Sequence, residues 1–316
     1  MFRLLATMVL AGFATLAGAQ EGSIRVVLGF PAGATADILS RLVADHMRQT
    51  LGQPVIVENK VGAGGRVANE AVKAARPDGT TLLMTPFATM CIFPHSFGNL
   101  RYDPFTDFVP VAHLSDFHSA LGVGANVPAK SLKEYVELVK KNPKMGDYAS
   151  AAAGSVPHFL GVMLARAAGI EMTHVPYKGT APALQALAAG EIAAAIVLSA
   201  DINTLVRSGR ARALAVSGAA RDPLFPEVPT FREQGYDIEG TGWYAMFAPA
   251  GVPKPTLDRL SKAAMAAIHD PGLKEKLVAM GLQPTGHAPA ELARIMKADY
   301  DKWGPVIRAS GWKPGT

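Results

Sequence analysis

The residues best placed to do chemistry lie in two turns rich in small side chains. The first turn covers residues 30–37 and reads Phe-Pro-Ala-Gly-Ala-Thr-Ala-Asp. It follows an apolar segment typical of a buried strand and precedes an amphipathic pattern typical of a helix. The free amides at a helix start carry about half a unit of positive charge and attract anions. The alternative is a well-capped turn without a ligand, in which Asp37 caps the helix from its first turn.

The second turn, residues 150–158, repeats the pattern as Ser-Ala-Ala-Ala-Gly-Ser-Val-Pro-His. Neither turn contains arginine or lysine. We therefore expect a small carboxylate to be held from both sides by backbone N–H groups, hydroxyls and bound water, without an arginine clamp. Charge-assisted hydrogen bonds contribute about 1.5–3 kcal/mol each. Three or four of them would support binding in the micromolar range after association costs.

Other chemistry has weaker support. Ser155 and His158 suggest a nucleophile and a base, but the chain lacks the Gly-x-Ser-x-Gly elbow, so an exported serine hydrolase is only a remote alternative. Val67 stands where the third glycine of a dinucleotide loop belongs, which favours a tight turn there. The histidines lack paired metal-ligand spacing. We predict no catalytic residue, metal or cofactor, and a structural ion pair between Asp37 and Arg41, four residues apart on a helix.

The first twenty residues indicate export. Arg3 precedes an apolar stretch over 4–16 that is too short to span a bilayer comfortably. Ala17-Gly18-Ala19 is a pattern that signal peptidase accepts, so we predict a signal peptide cleaved after Ala19 and a periplasmic protein. The alternative is an N-terminal anchor helix. Since Cys91 is the single cysteine, we expect no disulfide and a small buried hydrophobe at that position.

Composition excludes further classes of protein. The 316 residues are 49% hydrophobic and 18% charged, which suits a globular core. The formal net charge of +5 is scattered without a basic run, so nucleic acid is not a predicted partner.

Strand and helix patterns alternate along the chain, which predicts doubly wound α/β architecture with parallel sheets. Strands are predicted over 23–30, 54–58, 80–84, 120–127, 147–151, 172–175, 192–198, 211–217 and 241–248. Helices are predicted over 36–51, 66–75, 131–141, 158–168, from 180, and over 255–269, 271–280 and 288–310.

This order of elements predicts two lobes. Residues 23–123 and 243–316 form lobe 1, and residues 124–242 form lobe 2. The strands near 120–127 and 241–248 would cross between the lobes and form a hinge. A ligand then lies between the lobes, at strand carboxyl ends and helix amino ends.

Several motifs in order resemble one family. The chain is similar to the substrate-binding proteins of tripartite tricarboxylate transporters, also called Bug receptors, from about residue 24 to the C-terminus. The matching segments are Gly29–Arg41, Glu58–Gly65 (Glu-Asn-x-x-Gly-Ala-Gly-Gly), Pro77–Leu82, His174–Gly179 (His-Val-Pro-Tyr-Lys-Gly), Leu214–Val216 and Pro226–Thr230.

The resemblance implies a type II periplasmic binding protein that closes around a small carboxylate and passes it to integral-membrane transporter subunits. A ligand-sensing subunit for a sensor kinase is the alternative. We expect a monomer. The expected ligand-binding residues are Phe30, Gly33, Ala34, Thr35, Asp37, Thr85, Ser150, Ala152, Ala153, Gly154, Ser155, His158, Tyr177 and Val197.

Three departures from the family pattern concern the ligand. Ala34 replaces the second glycine of a pair, and Ala152 and Ala153 stand where glycine or a polar residue is common. Val197 stands where many members have an acidic residue that could hold an amino group. We therefore expect a plain organic acid or an aromatic carboxylate rather than an amino acid.

Overall fold

The computed structural model describes residues 22–312 and contains two mixed β-sheets. The predicted signal peptide and its cleavage site lie outside these residues. The first sheet has six strands: β1 (Ile24–Leu28), β2 (Val55–Asn59), β3 (Thr81–Pro86), β4 (Phe108–Phe117), β10 (Gly242–Pro249) and β11 (Leu282–His287). The second has five: β5 (Ser119–Gly124), β6 (Tyr148–Ser150), β7 (His174–Pro176), β8 (Ala194–Leu198) and β9 (Ala211–Val216). Each sheet with its flanking helices is called a lobe below.

The helices cover the faces of the two sheets. They are α1 (Thr35–Leu51), α2 (Arg66–Lys73), α3 (Phe93–Ser96), α4 (Leu132–Lys141), α5 (Val156–Ala168), α6 (Thr180–Ala189), α7 (Ser199–Arg207), α8 (Lys254–His269), α9 (Pro271–Ala279) and α10 (Pro289–Ser310). A π-helical turn over Ala88–Ile92 leads into α3. None of the helices within residues 22–312 is both long and apolar enough to cross a membrane.

The strand order is β11-β4-β10-β3-β1-β2 in the first sheet and β7-β6-β8-β5-β9 in the second. β1 pairs in parallel with β2 and β3, and β6 pairs in parallel with β7 and β8, as the alternating pattern predicts. The parallel arrangement does not extend to β4, β5, β10 and β11, which pair antiparallel with their neighbours. β10 comes back from the other sheet, and no helical crossover on its own sheet obliges it to run parallel.

The chain crosses between the sheets at two places. It leaves the six-stranded sheet at Phe117 and enters the five-stranded sheet at Ser119, with His118 alone between them. It returns over residues 217–241, between β9 and β10. β5 lies wholly in the second sheet, whereas the sequence-based division kept residues up to 123 with lobe 1. The division into lobes by residue number stays a prediction.

Helix α10 joins the two lobes through aromatic contacts. It packs on β4 and on the π-helical turn of the first lobe and on α5 of the second. The Trp303 ring lies 5.7 Å from Phe87 and 6.2 Å from Phe159, between centroids. Beyond the helix end, Trp312 lies 6.5 Å from Phe97 and 5.7 Å from Phe159. Each tryptophan thus touches both lobes.

Two local predictions are confirmed. The Ser131 Oγ accepts a hydrogen bond from the Glu134 backbone N–H at 3.2 Å, so the predicted cap begins α4. Cys91 is fully buried, and burial raises the pKa of its thiol well above the ordinary value. Such a thiol packs as a small hydrophobe and does not ionise at neutral pH.

Candidate functional site

A cavity of about 240 Å³ lies between the two sheets. It opens where β1, β3, β6 and β8 reach their carboxyl ends. The first lobe lines it with Phe30, Gly64, Pro86, Phe87, Ala88, Phe93, Phe117 and Tyr244. The second lobe lines it with Ala151, Ala152, Ala153, Gly154, Ser155, Val156, Pro157, Thr180, Val197 and Leu198. Pockets for drug-sized ligands measure about 300–1,000 Å³, so this space suits a smaller molecule.

The cavity wall is apolar and carries no ionisable acid or base apart from the Tyr244 phenol. Aromatic rings dominate the first lobe's side, and alanines dominate the turn on the other side. Ser155 and Val156 both line the cavity at the start of α5. The first amides of a helix have no partner within that helix. Pro157 has no N–H and the His158 N–H is capped by Ser155, so an anion in the cavity would meet the Val156 N–H and the positive end of the α5 dipole.

The first turn is held by a buried carboxylate. Asp37 Oδ2 accepts hydrogen bonds from the Gly33 N–H and from Arg41 Nε, both at 2.9 Å. Asp37 Oδ1 accepts from Arg41 Nη2 and from Asn59 Nδ2, also at 2.9 Å. Burial alone would raise the pKa of Asp37, but these hydrogen bonds outweigh burial and lower it to about 2. The predicted pair between Asp37 and Arg41 is confirmed, and it fixes the turn ahead of α1.

The second turn is held by its own side chains. The Gly154 N–H donates to His158 Nδ1 at 3.1 Å, and the Ser155 hydroxyl donates to the Ala152 carbonyl at 2.7 Å. Ser155 Oγ also accepts from the His158 backbone N–H at 3.4 Å, which caps α5. The His158 imidazole thus accepts a hydrogen bond from Gly154 and does not face the Ser155 hydroxyl as a base. This arrangement is a capped turn and lacks the nucleophile–base contact that a serine hydrolase needs.

Two stacked histidines lie behind this turn. The rings of His158 and His174 are 4.1 Å apart and inclined by 27°. His174 Nε2 lies 2.7 Å from Ser150 Oγ, which donates to the Ala152 carbonyl at 3.0 Å. The pKa of both rings is lowered to about 4, at His174 by burial and at His158 by burial and, to a smaller degree, by the neighbouring His174 ring. Both rings are therefore neutral at pH 7. They support the turn by packing and hydrogen bonding.

The expected ligand-binding residues fall into two groups. Six of them line the cavity: Phe30, Ala152, Ala153, Gly154, Ser155 and Val197. The other eight lie outside its lining: Gly33, Ala34, Thr35, Asp37, Thr85, Ser150, His158 and Tyr177. Thr85, for example, is buried and lies 2.7 Å from Thr89, Oγ1 to Oγ1. Ligand binding by any of the fourteen stays a prediction.

Sequence reasoning missed most of the aromatic wall. Phe87 and Phe93 flank the π-helical turn that follows β3, and Phe117 and Tyr244 come from antiparallel strands far apart in the chain. The position of Phe87, three residues after the strand predicted over 80–84, was the one usable signal. Within residues 22–312, no three His, Cys, Asp or Glu side chains are grouped to hold a metal ion.

Two α/β lobes around a cleft at strand carboxyl ends define the class: a type II periplasmic solute-binding protein. A family model described as "Tripartite tricarboxylate transporter family receptor" matches residues 39–312. The chain belongs to this family, whose binding proteins are periplasmic.

Solved structures support the assignment. The periplasmic binding protein BugD is 33% identical with a TM-score of 0.81, covering 93% of this chain and 99% of BugD. MatC from Rhodopseudomonas palustris, with bound malate, is 33% identical with a TM-score of 0.79, covering 90% and 98%. An R. palustris protein with adipate is 29% identical with a TM-score of 0.84, covering 93% and 98%. These relatives are solute-binding proteins rather than enzymes.

Proposed function

We propose that this receptor captures a small organic carboxylate in the cavity between its lobes and delivers it to the membrane subunits of a tripartite tricarboxylate-type transporter. The observation that carries the proposal is the cavity itself, in which the amino end of α5 faces an apolar wall contributed by the other lobe. In such a site an anionic head meets the Val156 amide and the helix dipole, while its carbon chain meets Phe30, Phe87 and Tyr244. The malate and adipate bound to two relatives belong to this ligand class.

The proposal includes export. The predicted signal peptide would be removed after Ala19, and the mature chain would meet its ligand in the periplasm. N-terminal sequencing of protein recovered from the periplasm tests the cleavage site, and a first residue of Gln20 is expected.

Ligand capture is tested by native mass spectrometry and calorimetry. Protein purified without unfolding should carry a co-purified acid, or bind malate or adipate with micromolar affinity. Ala153→Phe places a ring in the cavity and should weaken binding at least tenfold. Ala266→Phe, on the exposed side of α8, is the matched control and should bind normally. Equal binding by both variants would contradict the cavity as the site.

Delivery is tested separately, by pull-down of solubilised membrane proteins with the ligand-loaded receptor. Recovery of transporter subunits is the expected result. Recovery of a sensor kinase alone would favour the sensory alternative.

A further inference from the structure

His118 lies at the point where the chain first crosses from one lobe to the other, between β4 and β5. It is buried, and the residue before it, Phe117, belongs to the cavity wall. Its carbonyl accepts a hydrogen bond from the Ser199 N–H at 3.0 Å, at the start of α7. A change in the angle between the lobes must therefore change the surroundings of the His118 ring.

The His118 ring contacts the second crossing, residues 217–241, and the first lobe at the same time. It packs so closely on Gly218 that a Cβ there would overlap Cε1 of the ring. Asp222 Oδ2, in the same crossing, lies 3.6 Å from His118 Nδ1. From β11 of the first lobe, Gln283 Nε2 lies 3.1 Å from Nδ1 and 3.2 Å from Nε2 of the ring. One side chain thus connects both crossings with β11.

The contact between His118 and Gln283 requires a neutral imidazole. The amide nitrogen of Gln283 is a donor, and a neutral imidazole has one nitrogen that accepts. A protonated imidazole carries N–H on both nitrogens and accepts at neither. Adding a proton to His118 therefore breaks the contact of the ring with β11.

The surroundings of the ring also disfavour the charged form. Burial lowers the pKa of His118 below its ordinary value of 6.5 and outweighs three acidic side chains that raise it, Asp222, Asp116 and Glu239. A cavity of about 150 Å³, lined by Asp222 and Gln283, lies beside the ring, so water has a path to these partners. In acid, a more exposed His118 ring is therefore favoured over the buried one.

We propose that His118 is a positioning residue for ligand binding, whose neutral ring holds both crossings and β11 in the arrangement that forms the cavity and whose protonation releases that arrangement. The inference rests on the proposed function, since it concerns the cavity between the same lobes. A single group with an ordinary pKa of 6.5 can weaken affinity at most about tenfold at pH 5.5. The stacked rings of His158 and His174, with pKa values of about 4, stay mostly neutral at that pH.

Calorimetry with malate and with adipate at pH 7.5 and pH 5.5 measures the effect on binding. Over this range, the affinity of the wild type should fall about three- to tenfold more than that of His118→Gln, because glutamine has no proton to gain. Protonation of the ligand itself cancels in this comparison. His46→Gln, on α1, is the matched control and should lose affinity as the wild type does. Thermal unfolding at both pH values reports whether each variant is folded.

Gln283→Glu is a second variant that keeps His118 in place. Gln283 is partly exposed, and a carboxylate there would accept from the protonated ring. This variant should therefore lose less affinity in acid than the wild type. Gln49→Glu, on the exposed side of α1, adds the same charge away from the hinge and should match the wild type.

Small-angle X-ray scattering without ligand tests the release of the lobes directly. The radius of gyration of the wild type should increase from pH 7.5 to pH 5.5, whereas that of His118→Gln should be the same at both pH values. An unchanged wild-type radius would contradict the proposal.

The outcomes separate the two proposals. If folded His118→Gln or Gln283→Glu loses as much affinity in acid as the wild type, the role of His118 is wrong while the carboxylate site stands. If neither malate, adipate nor any co-purified acid binds at pH 7.5, the proposed function itself fails, and the scattering experiment alone decides whether His118 positions the lobes.

Discussion

At the scale of single residues, the amides of Gly33 and Gly154 hold their turns in shape rather than face a ligand. Each lies in a turn that suggests an anion site, yet each N–H already has a partner, the Asp37 carboxylate in one turn and the His158 ring in the other. Satisfying these donors internally gives each turn a fixed shape before a ligand arrives. At the start of α5, Pro157 has no N–H and the His158 N–H is bonded to Ser155 Oγ, so the amide left to meet a ligand there is that of Val156.

Asp37 is predicted to contribute to stability through its hydrogen bonds. Asp37→Ala leaves the Gly33 N–H, Arg41 and Asn59 without their acceptor and should lower the free energy of unfolding by about 2 to 4 kcal/mol. Urea denaturation at pH 7 measures this. Asp45→Ala, an exposed acid on the same helix, is the control. Equal stability of the two variants would mean that Asp37 does not fix the turn.

The lowered pKa of the Asp37 carboxylate predicts that the protein loses stability in acid. Because the pKa of Asp37 is lowered to about 2 in the folded protein, the unfolded chain binds its proton first. The contribution is complete above about pH 4 and is lost as pH falls towards 2. It amounts to about 1 to 2 kcal/mol once solvent screening near exposed Arg41 is allowed for. Asp37→Asn should show a correspondingly shallower loss over this range.

The stacked histidines predict a second pH effect, at higher pH. Their pKa values of about 4 lie below the ordinary value of 6.5, so the unfolded chain binds more protons between these limits. Stability should fall by about 2 kcal/mol from pH 6.5 to pH 4, allowing for partial exposure of His174. His174→Gln keeps a polar partner for Ser150 and should reduce this fall. His46→Gln, on α1, is the control. If stability falls equally in His174→Gln and His46→Gln, the stacked pair is not the source of the fall.

At the scale of elements, the turn before α5 is packed against Trp312, and the turn before α1 has no such cover at Gly33. Gly154 has a φ of 74°, and a Cβ there would come within 2.7 Å of Trp312 Cη2. Gly33 has a similar φ of 81°, but a Cβ there would meet nothing within 4 Å. The two positions therefore share backbone strain and differ in packing.

Alanine substitution at these glycines separates strain from packing. Gly33→Ala should cost about 1 kcal/mol of unfolding free energy from the positive φ. Gly154→Ala should cost at least about 2 kcal/mol, because Trp312 must also move. Adding Trp312→Ala to Gly154→Ala should recover part of the extra loss. Chemical denaturation of the three variants provides the measurement, and equal costs at both glycines would refute the contact with Trp312.

Helices and parallel strands could be predicted from the sequence because their signals are local. The periodic apolar stripe of α1 and the cap at Ser131 need only neighbouring residues. β4 and β11 were missed because their residues alternate poorly: β4 contains Pro110, His113 and Asp116. Their pairing is set by strands distant in sequence. The site divides in the same way, since the turn at 152–155 was predicted, whereas Phe117 and Tyr244 reach the cavity only through tertiary packing.

For the whole molecule, the contact between lobes through Trp312 should favour the closed arrangement. Its ring touches Phe97 in one lobe and His158 and Phe159 in the other, behind the cavity. Trp312→Ala removes this bridge and should enlarge the radius of gyration without ligand and weaken ligand binding about five- to tenfold. Small-angle X-ray scattering and calorimetry measure the two effects. Val278→Ala, an exposed apolar residue of α9, is the control, and identical scattering from both variants would contradict the bridge.

The most direct test of the whole account is a crystal structure of the receptor with its co-purified acid or with malate. We expect density for one small molecule between Phe30 and Ser155, with a carboxylate oxygen within hydrogen-bond distance of a backbone N–H at the start of α5. A ligand bound on an outer surface, or a carboxylate held in the cleft by an arginine or lysine side chain, would contradict it.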